Sequence, residues 1–212
     1  MADTQRPPKG MPPPSLWSRA AGAVNEAIKE YIPSNVRLLA STALGDRSPV
    51  TEAYFPESDL AAMRTAAASG MVRKQEEMKF LEGAVGYSGR TPEENAEFLA
   101  ARAAKSPVIR YPDYKNNVGE LDTNTNWAEA AVKSVSDADF RALTSIGQAR
   151  LDTSPVGDTI LKDEYSFHGG GFASPNNPSR FLDGIMAGTI PKGKGRDVTV
   201  NLGAIKPAKR PE

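Results

Sequence analysis

The residues of this chain best suited to chemistry stand together: Asp163-Glu164-Tyr165-Ser166-Phe167-His168, running into Gly169-Gly170-Gly171. The histidine is the single one in 212 residues, and cysteine is absent. That inventory excludes thiol nucleophiles, Cys-based zinc sites and disulfide scaffolds. An active site here would be assembled from carboxylates, hydroxyls and arginines, groups that support acid–base or charge-stabilised hydrolysis. The cluster also has a purely structural interpretation. Asp163 would cap a turn, Tyr165 and Phe167 would pack under a hairpin, His168 would bond a backbone group, and the glycines would let the chain turn sharply. The glycine run could form an anion-holding nest, but no Lys-Ser/Thr follows it, which excludes a P-loop.

The elements that must position this cluster come from local patterning. Ser154-Pro155-Val156-Gly157-Asp158 is turn chemistry between two strand-like runs, Arg141 to Thr153 and Thr159 onward. The resulting hairpin delivers Asp163 and Tyr165 two residues apart, on one side of a strand. A last strand alternates over Asp197 to Leu202, and a short helix is expected over Ser179 to Ala187. Val108 to Tyr111 forms a short strand, and Trp127 to Val135 a helix.

Upstream the pattern is helical. Ser15 caps a helix over Leu16–Tyr31, with Leu16, Ala20, Val24, Ala27, Ile28 and Tyr31 at helical spacing and Pro33 as the stop. A weaker helix spans Asn35 to Leu44, and Pro49 to Pro56 is extended. Ser58 is expected to cap the next helix, with Leu60, Met63 and Ala67 on its buried face and Gly70 as a break. A helical stretch continues over Met71 to Leu81. Thr91-Pro92-Glu93-Glu94 is a capping box with proline at the first helical position, so its carboxylates receive no catalytic role. Four segments follow: a Pro-rich arm (1–14), a helical region (15–106), a small α+β region (107–204) and a basic tail (205–212). The fold class is α+β, a helical N-terminal half followed by a small antiparallel β-hairpin unit.

Composition limits the partners. Charges balance at 26 basic against 26 acidic residues, so no basic field exists for nucleic acid. The basic tracts Lys192 to Arg196 and Lys206 to Arg210 are short, Gly- or Pro-broken, and expected to be solvated. No apolar run approaches the roughly 20 residues needed to cross a bilayer, and the polar, Pro-rich start lacks the apolar core of a secretory signal. A soluble chain is the expectation. Hydrophobic residues make up 39%, with 18 Gly and 17 Pro. That is lean for a self-sufficient core, and such segments often gain order against partners.

Thr144-Ser145-Ile146-Gly147-Gln148-Ala149, the Gly-Asp turn and Ile160 to Phe167 together resemble the catalytic region of colicin M-type proteins, bacteriocins that cleave lipid II. Their signature is Asp-x-Tyr-Asp after a β-hairpin, followed by His-Arg. Similar segments occur in proteins of tailed bacteriophages, which Pro49 to Leu60 and Ile109 to Tyr114 also resemble. The likeness covers roughly 107 to 172. It implies that Asp163 and Tyr165 match the first Asp and the Tyr. Ser166 replaces the second Asp, and no His-Arg pair follows: His168 stands two residues beyond Ser166, and the next arginine is Arg180. A serine supplies neither a carboxylate ligand nor a base, so the pattern lacks a central group unless Glu164 or Asp183 substitutes.

Two expectations follow. One is a minor structural or ejection-associated virion component, made in the bacterial cytoplasm and binding other virion proteins through the arm and a helical face, with no cofactor. The other is a lipid II hydrolase using Asp163, Tyr165, His168 and Arg180, with Mg²⁺ held at Asp163. A cytoplasmic adaptor is the third, plainer alternative.

Overall fold

The computed structural model describes residues 32–43, 45–110, 113–114, 127–146, 148–165 and 196–206. The expected arm, the helix over Leu16–Tyr31, the short helix over Ser179 to Ala187 and the basic tail beyond Lys206 lie outside them. The architecture is α+β. Helices α1 (Ser34–Ala43), α2 (Glu57–Ala84), α3 (Pro92–Ala103), α4 (Trp127–Ser136) and α5 (Ala138–Ile146) accompany strands β1 (Val108–Ile109), β2 (Ala149–Thr153), β3 (Thr159–Tyr165) and β4 (Arg196–Asn201). The strands form an antiparallel meander in sequence order.

Alternation decides which side of the sheet is buried. Leu151 pairs with Leu161 and Leu161 with Val200, so their side chains share one face with Ile109, Ala149 and Val198. Lys162, Asp197 and Thr199 face water on the other. The helices cover the apolar face with Leu38, Leu60, Met63, Ala66, Phe140 and Leu143. This core draws on residues from both sides of Pro107. At the open edge Val50 adds a parallel bridge to β4. Its N–H donates to the Asp197 carbonyl and its carbonyl accepts from the Thr199 N–H, both at 2.8 Å.

The turn between β2 and β3 is built as its residues dictate. The Ser154 N–H donates to the Asp158 carbonyl, its carbonyl accepts from the Gly157 N–H and its hydroxyl from the Asp158 N–H at 2.9 Å, and Gly157 takes φ +91°. The capping box also forms. The Thr91 hydroxyl accepts from the Glu94 N–H while the Glu94 carboxylate accepts from the Thr91 N–H.

Three local expectations are corrected. The run Arg141 to Thr153 is not one strand. Its first part belongs to α5, where Phe140, Leu143 and Ile146 recur at helical spacing and are buried. The carboxylate of Asp137 caps this helix by accepting from the Phe140 N–H at 3.1 Å. Pro49 to Pro56 is not uniformly extended, because Glu52–Tyr54 forms a 3₁₀ turn.

The largest correction concerns Gly70 and Ser58. Helix α2 begins after Pro56, with Ser58 already inside it, and continues unbroken through Gly70 for 28 residues. The glycine marks a close approach instead of an end. A β-carbon there would lie 2.9 Å from the Val108 carbonyl oxygen of β1. One turn on, Arg73 reinforces the crossing by donating to that carbonyl and to both oxygens of Asp113. All the buried positions of α2 lie between Asp59 and Gly70. Its outer half and α3 bury nothing, so the two helices project from the body as a hairpin. Phe80 is 73% exposed and Tyr87 at the tip 93%. Phe98 is covered by guanidinium groups, Arg90 at 4.5 Å and Arg102 at 5.9 Å from its ring centre.

The two glycines of α2 should respond to alanine with opposite signs. Gly83 has nothing within 4 Å of an added β-carbon, so Gly83→Ala should stabilise by up to about 1 kcal/mol through helix propensity. Gly70→Ala gains the same propensity but must push backbone apart, and should destabilise by about 1–3 kcal/mol. Urea unfolding of both variants checks the pair; a stabilising Gly70→Ala would mean β1 does not press on α2.

Candidate functional site

Asp163 lies in the middle of the sheet, on β3 opposite Val198 of β4. Its strand neighbours set its surroundings. Thr159 and Leu161 are buried while Lys162 and Glu164 are exposed, so Asp163 continues the inward row at a half-buried position. Burial pushes its carboxyl up from 3.8 to about 6, and the Glu164 charge adds to the rise. A hydrogen bond from the Glu164 backbone offsets part of it. A carboxyl that exchanges its proton near pH 6 is suited to general acid or base work.

The hairpin reading of the sequence thus places Asp163 on a strand, as expected, and β3 extends to Tyr165, which pairs with Arg196. His168 and Arg180 lie outside the described residues, so the geometry joins neither to Asp163. Asp163 lines a shallow depression together with Arg150, Lys162, Asp197, Val198 and Thr199. The cations there are engaged on the outer face: Lys162 lies 3.0 Å and Arg150 3.2 Å from the Asp152 carboxylate. The Lys162 hydrogen bond, more than any other contact, holds the Asp152 carboxyl below its usual value, and Ser106 adds a second.

Magnesium demands several oxygen ligands in near-octahedral array. Among the described residues the donors at Asp163 do not fit such a site. The nearest carboxylates in the ladder, Glu164 and Asp197, stand opposite each other on the other face of the sheet, and among the described residues no group of three or more His, Cys, Asp or Glu is arranged to hold a metal.

A second polar cluster escaped the sequence reading. Arg196, expected to lie in a solvated basic tract, is 2% exposed. It donates to the Ser48 carbonyl at 2.9 Å and the Ser41 hydroxyl at 2.7 Å, and lies 3.2 Å from the Asp46 carboxylate. With Arg37 it flanks the ring of Tyr54, the guanidinium carbons lying 5.7 and 4.8 Å from the ring centre. Burial raises the Tyr54 phenol above its ordinary value in spite of the Ser41 hydrogen bond and the two cations. The signal was present in the alternation, since Arg196 stands two residues before the inward-facing Val198. This arginine is spent on pinning the 46–54 segment against β4.

Comparison with known protein families, with curated proteins and with solved structures finds no match.

Asp163 should imprint itself on the pH dependence of stability. An acid whose pKa is higher in the folded state binds more protons there, so its contribution is present at low pH and is lost as pH climbs from about 4 to about 6. Asp163→Asn should flatten that fall. It should also leave the protein more stable than the parent at pH 7 by about 1 kcal/mol, well below the roughly 3 kcal/mol of an unscreened two-unit shift. Thermal melts at pH 4 and 7 test this; parallel losses in both proteins would place the titrating group elsewhere.

Proposed function

We propose that the chain is a structural or ejection-associated component of a tailed bacteriophage particle and works by binding other virion proteins. The observation that carries this reading is the projecting helical hairpin. Helices of this length are marginal on their own and draw most of their stability from packing an apolar face. Here Met78, Leu81, Phe98 and Leu99 are only partly buried, and Phe80 and Tyr87 are almost free. Exposed aromatic residues on a protruding, regular element are characteristic of contact surfaces. The lean composition and the Pro-rich arm add to the same reading, as does the phage-like flavour of the segments on either side of α2.

Lipid II hydrolysis is the second reading, favoured by one specific observation: the half-buried carboxyl of Asp163 titrates near 6. Against it stand the serine at position 166 and the missing His-Arg pair. Both readings concern separate surfaces of the molecule and can be tested separately.

Quantitative mass spectrometry of purified virions should find the chain at fixed copy number. The double variant Phe80→Asp, Tyr87→Asp should be incorporated several-fold less while melting like the parent, because neither side chain is buried. Absence from particles overturns the assembly reading. Purified protein incubated with lipid II and Mg²⁺ should release no head group; release that Asp163→Ala abolishes would establish the hydrolase instead.

A further inference from the structure

We infer that the projecting hairpin is covered by the same hairpin of a second copy, the two packing antiparallel into a four-helix bundle. The inference rests on the hairpin being an assembly element, and it names the first partner. Its warrant is the way charge is distributed along the two helices. At the base, where the hairpin leaves the body, the cations are Arg73, Lys74, Arg102, Lys105 and Arg110. Against these five stand two carboxylates, Glu77 and Asp113. At the outer end the balance reverses: Glu82, Glu93, Glu94 and Glu97 against Arg90 alone. The middle, with Glu76 and Lys79, is neutral. The hairpin is therefore net positive by three at its root and net negative by three toward its tip.

A charge gradient of this kind is complementary to its own reverse. Two copies side by side and parallel would set like against like. Antiparallel packing sets each acidic tip beside the basic root of the other, and the arrangement is isologous, closing at two copies. The dimensions agree. The projecting part of α2, residues 71–84, is about 21 Å long at 1.5 Å per residue, and the twelve residues of α3 span about 18 Å. Two such hairpins overlap over nearly their whole length. The exposed Phe80, with the partly buried Leu81, Phe98 and Leu99, would then become the bundle core. The footprint, about 20 by 20 Å per copy given helices roughly 10 Å wide, is about 800 Å² in total, below the roughly 1,200 Å² of stable interfaces and in the range of weak, transient ones. Dissociation on dilution in the micromolar range follows from it.

Sedimentation equilibrium of the full chain over a concentration series should show a monomer–dimer equilibrium that weakens with added salt. A tip-reversed variant (Glu82→Lys, Glu93→Lys, Glu97→Lys) and a root-reversed variant (Arg102→Glu, Lys105→Glu) should each self-associate about tenfold more weakly or worse. An equimolar mixture of the two should recover a heterodimer, since each reversed end then meets its complement. Phe80→Asp, which changes an exposed side chain, should also release monomers. A chain monomeric at every concentration overturns the inference, as does a dimer indifferent to Phe80→Asp, or reversed variants that fail to rescue each other. A monomer that is nonetheless built into particles would remove the second copy and leave the assembly reading standing; a dimer absent from particles would do the converse.

Discussion

The structure depends on one buried carboxylate. Asp59 has no exposed surface, and a charge in that position is tolerable only when its lone pairs are occupied. Ser34 of α1 and Ser58 of α2 donate to it, and Arg141 of α5 donates at 2.8 Å. Removing one partner of such a pair strands the other and costs about 3–5 kcal/mol, against a total stability of about 5–15 kcal/mol. Three helices are therefore held at one point by a requirement that hydrophobic packing alone does not impose. Asn35 extends the join by donating to Ser134 and Thr144, which brings α4 into the same arrangement.

That anchor fixes where α2 starts, and the crossing at Gly70 fixes the direction in which it leaves. Between Asp59 and Gly70 the helix lies on the sheet and buries one side chain or more per turn. Beyond Gly70 the Arg73–Asp113 pair ties it to the end of β1, and none of its later residues is buried. The burial of α2 is set by what it passes, since its outer half carries methionine and leucine as its inner half does, and a phenylalanine besides. A change in the Asp59 contacts would therefore be felt at the far end of the helix as a change of aim. Arg196 plays the matching part at the β4 edge of the sheet, where it holds the 46–54 segment on β4.

The sequence made the local devices legible and the long-range ones opaque. The capping box at Thr91, the Ser154–Asp158 turn and the alternation of β4 each depend on residues within a few positions of one another, and each was found. Gly70 was misread because its reason for being glycine is a carbonyl 38 residues away; from the sequence alone, a glycine that stops a helix and one that admits a neighbouring strand look the same. Helix α5 was misread because Arg141 to Thr153 contains two elements, and the apolar spacing of the second hid the helical spacing of the first. Arg196 was lost among glycines and lysines that invite a solvated reading, although its parity with Val198 pointed inward. The half-buried setting of Asp163 follows from the same parity, but the height of its pKa does not, because that depends on how completely the folded chain removes the carboxyl from water.

The distinction between the hairpin and the Pro-rich arm is one of preorganisation. An arm that orders on contact loses conformational entropy at the moment of binding, which lowers its affinity for a given area. The outer half of α2 avoids most of that loss. Fourteen residues of helix would be marginal if they had to nucleate alone, but the nucleus already exists in the buried half, and propagation past Gly70 adds one hydrogen bond per residue fixed. The capping box then closes the start of α3, and Arg90 and Arg102 lie over the ring of Phe98. The exposed aromatic residues are thus presented on a frame ordered by the body of the protein and not by the partner. A surface ordered in advance gains affinity by avoiding the cost of ordering, so a small contact area here can still hold. Among the described residues the two large aromatic side chains most open to water, Phe80 and Tyr87, both stand on this preordered frame.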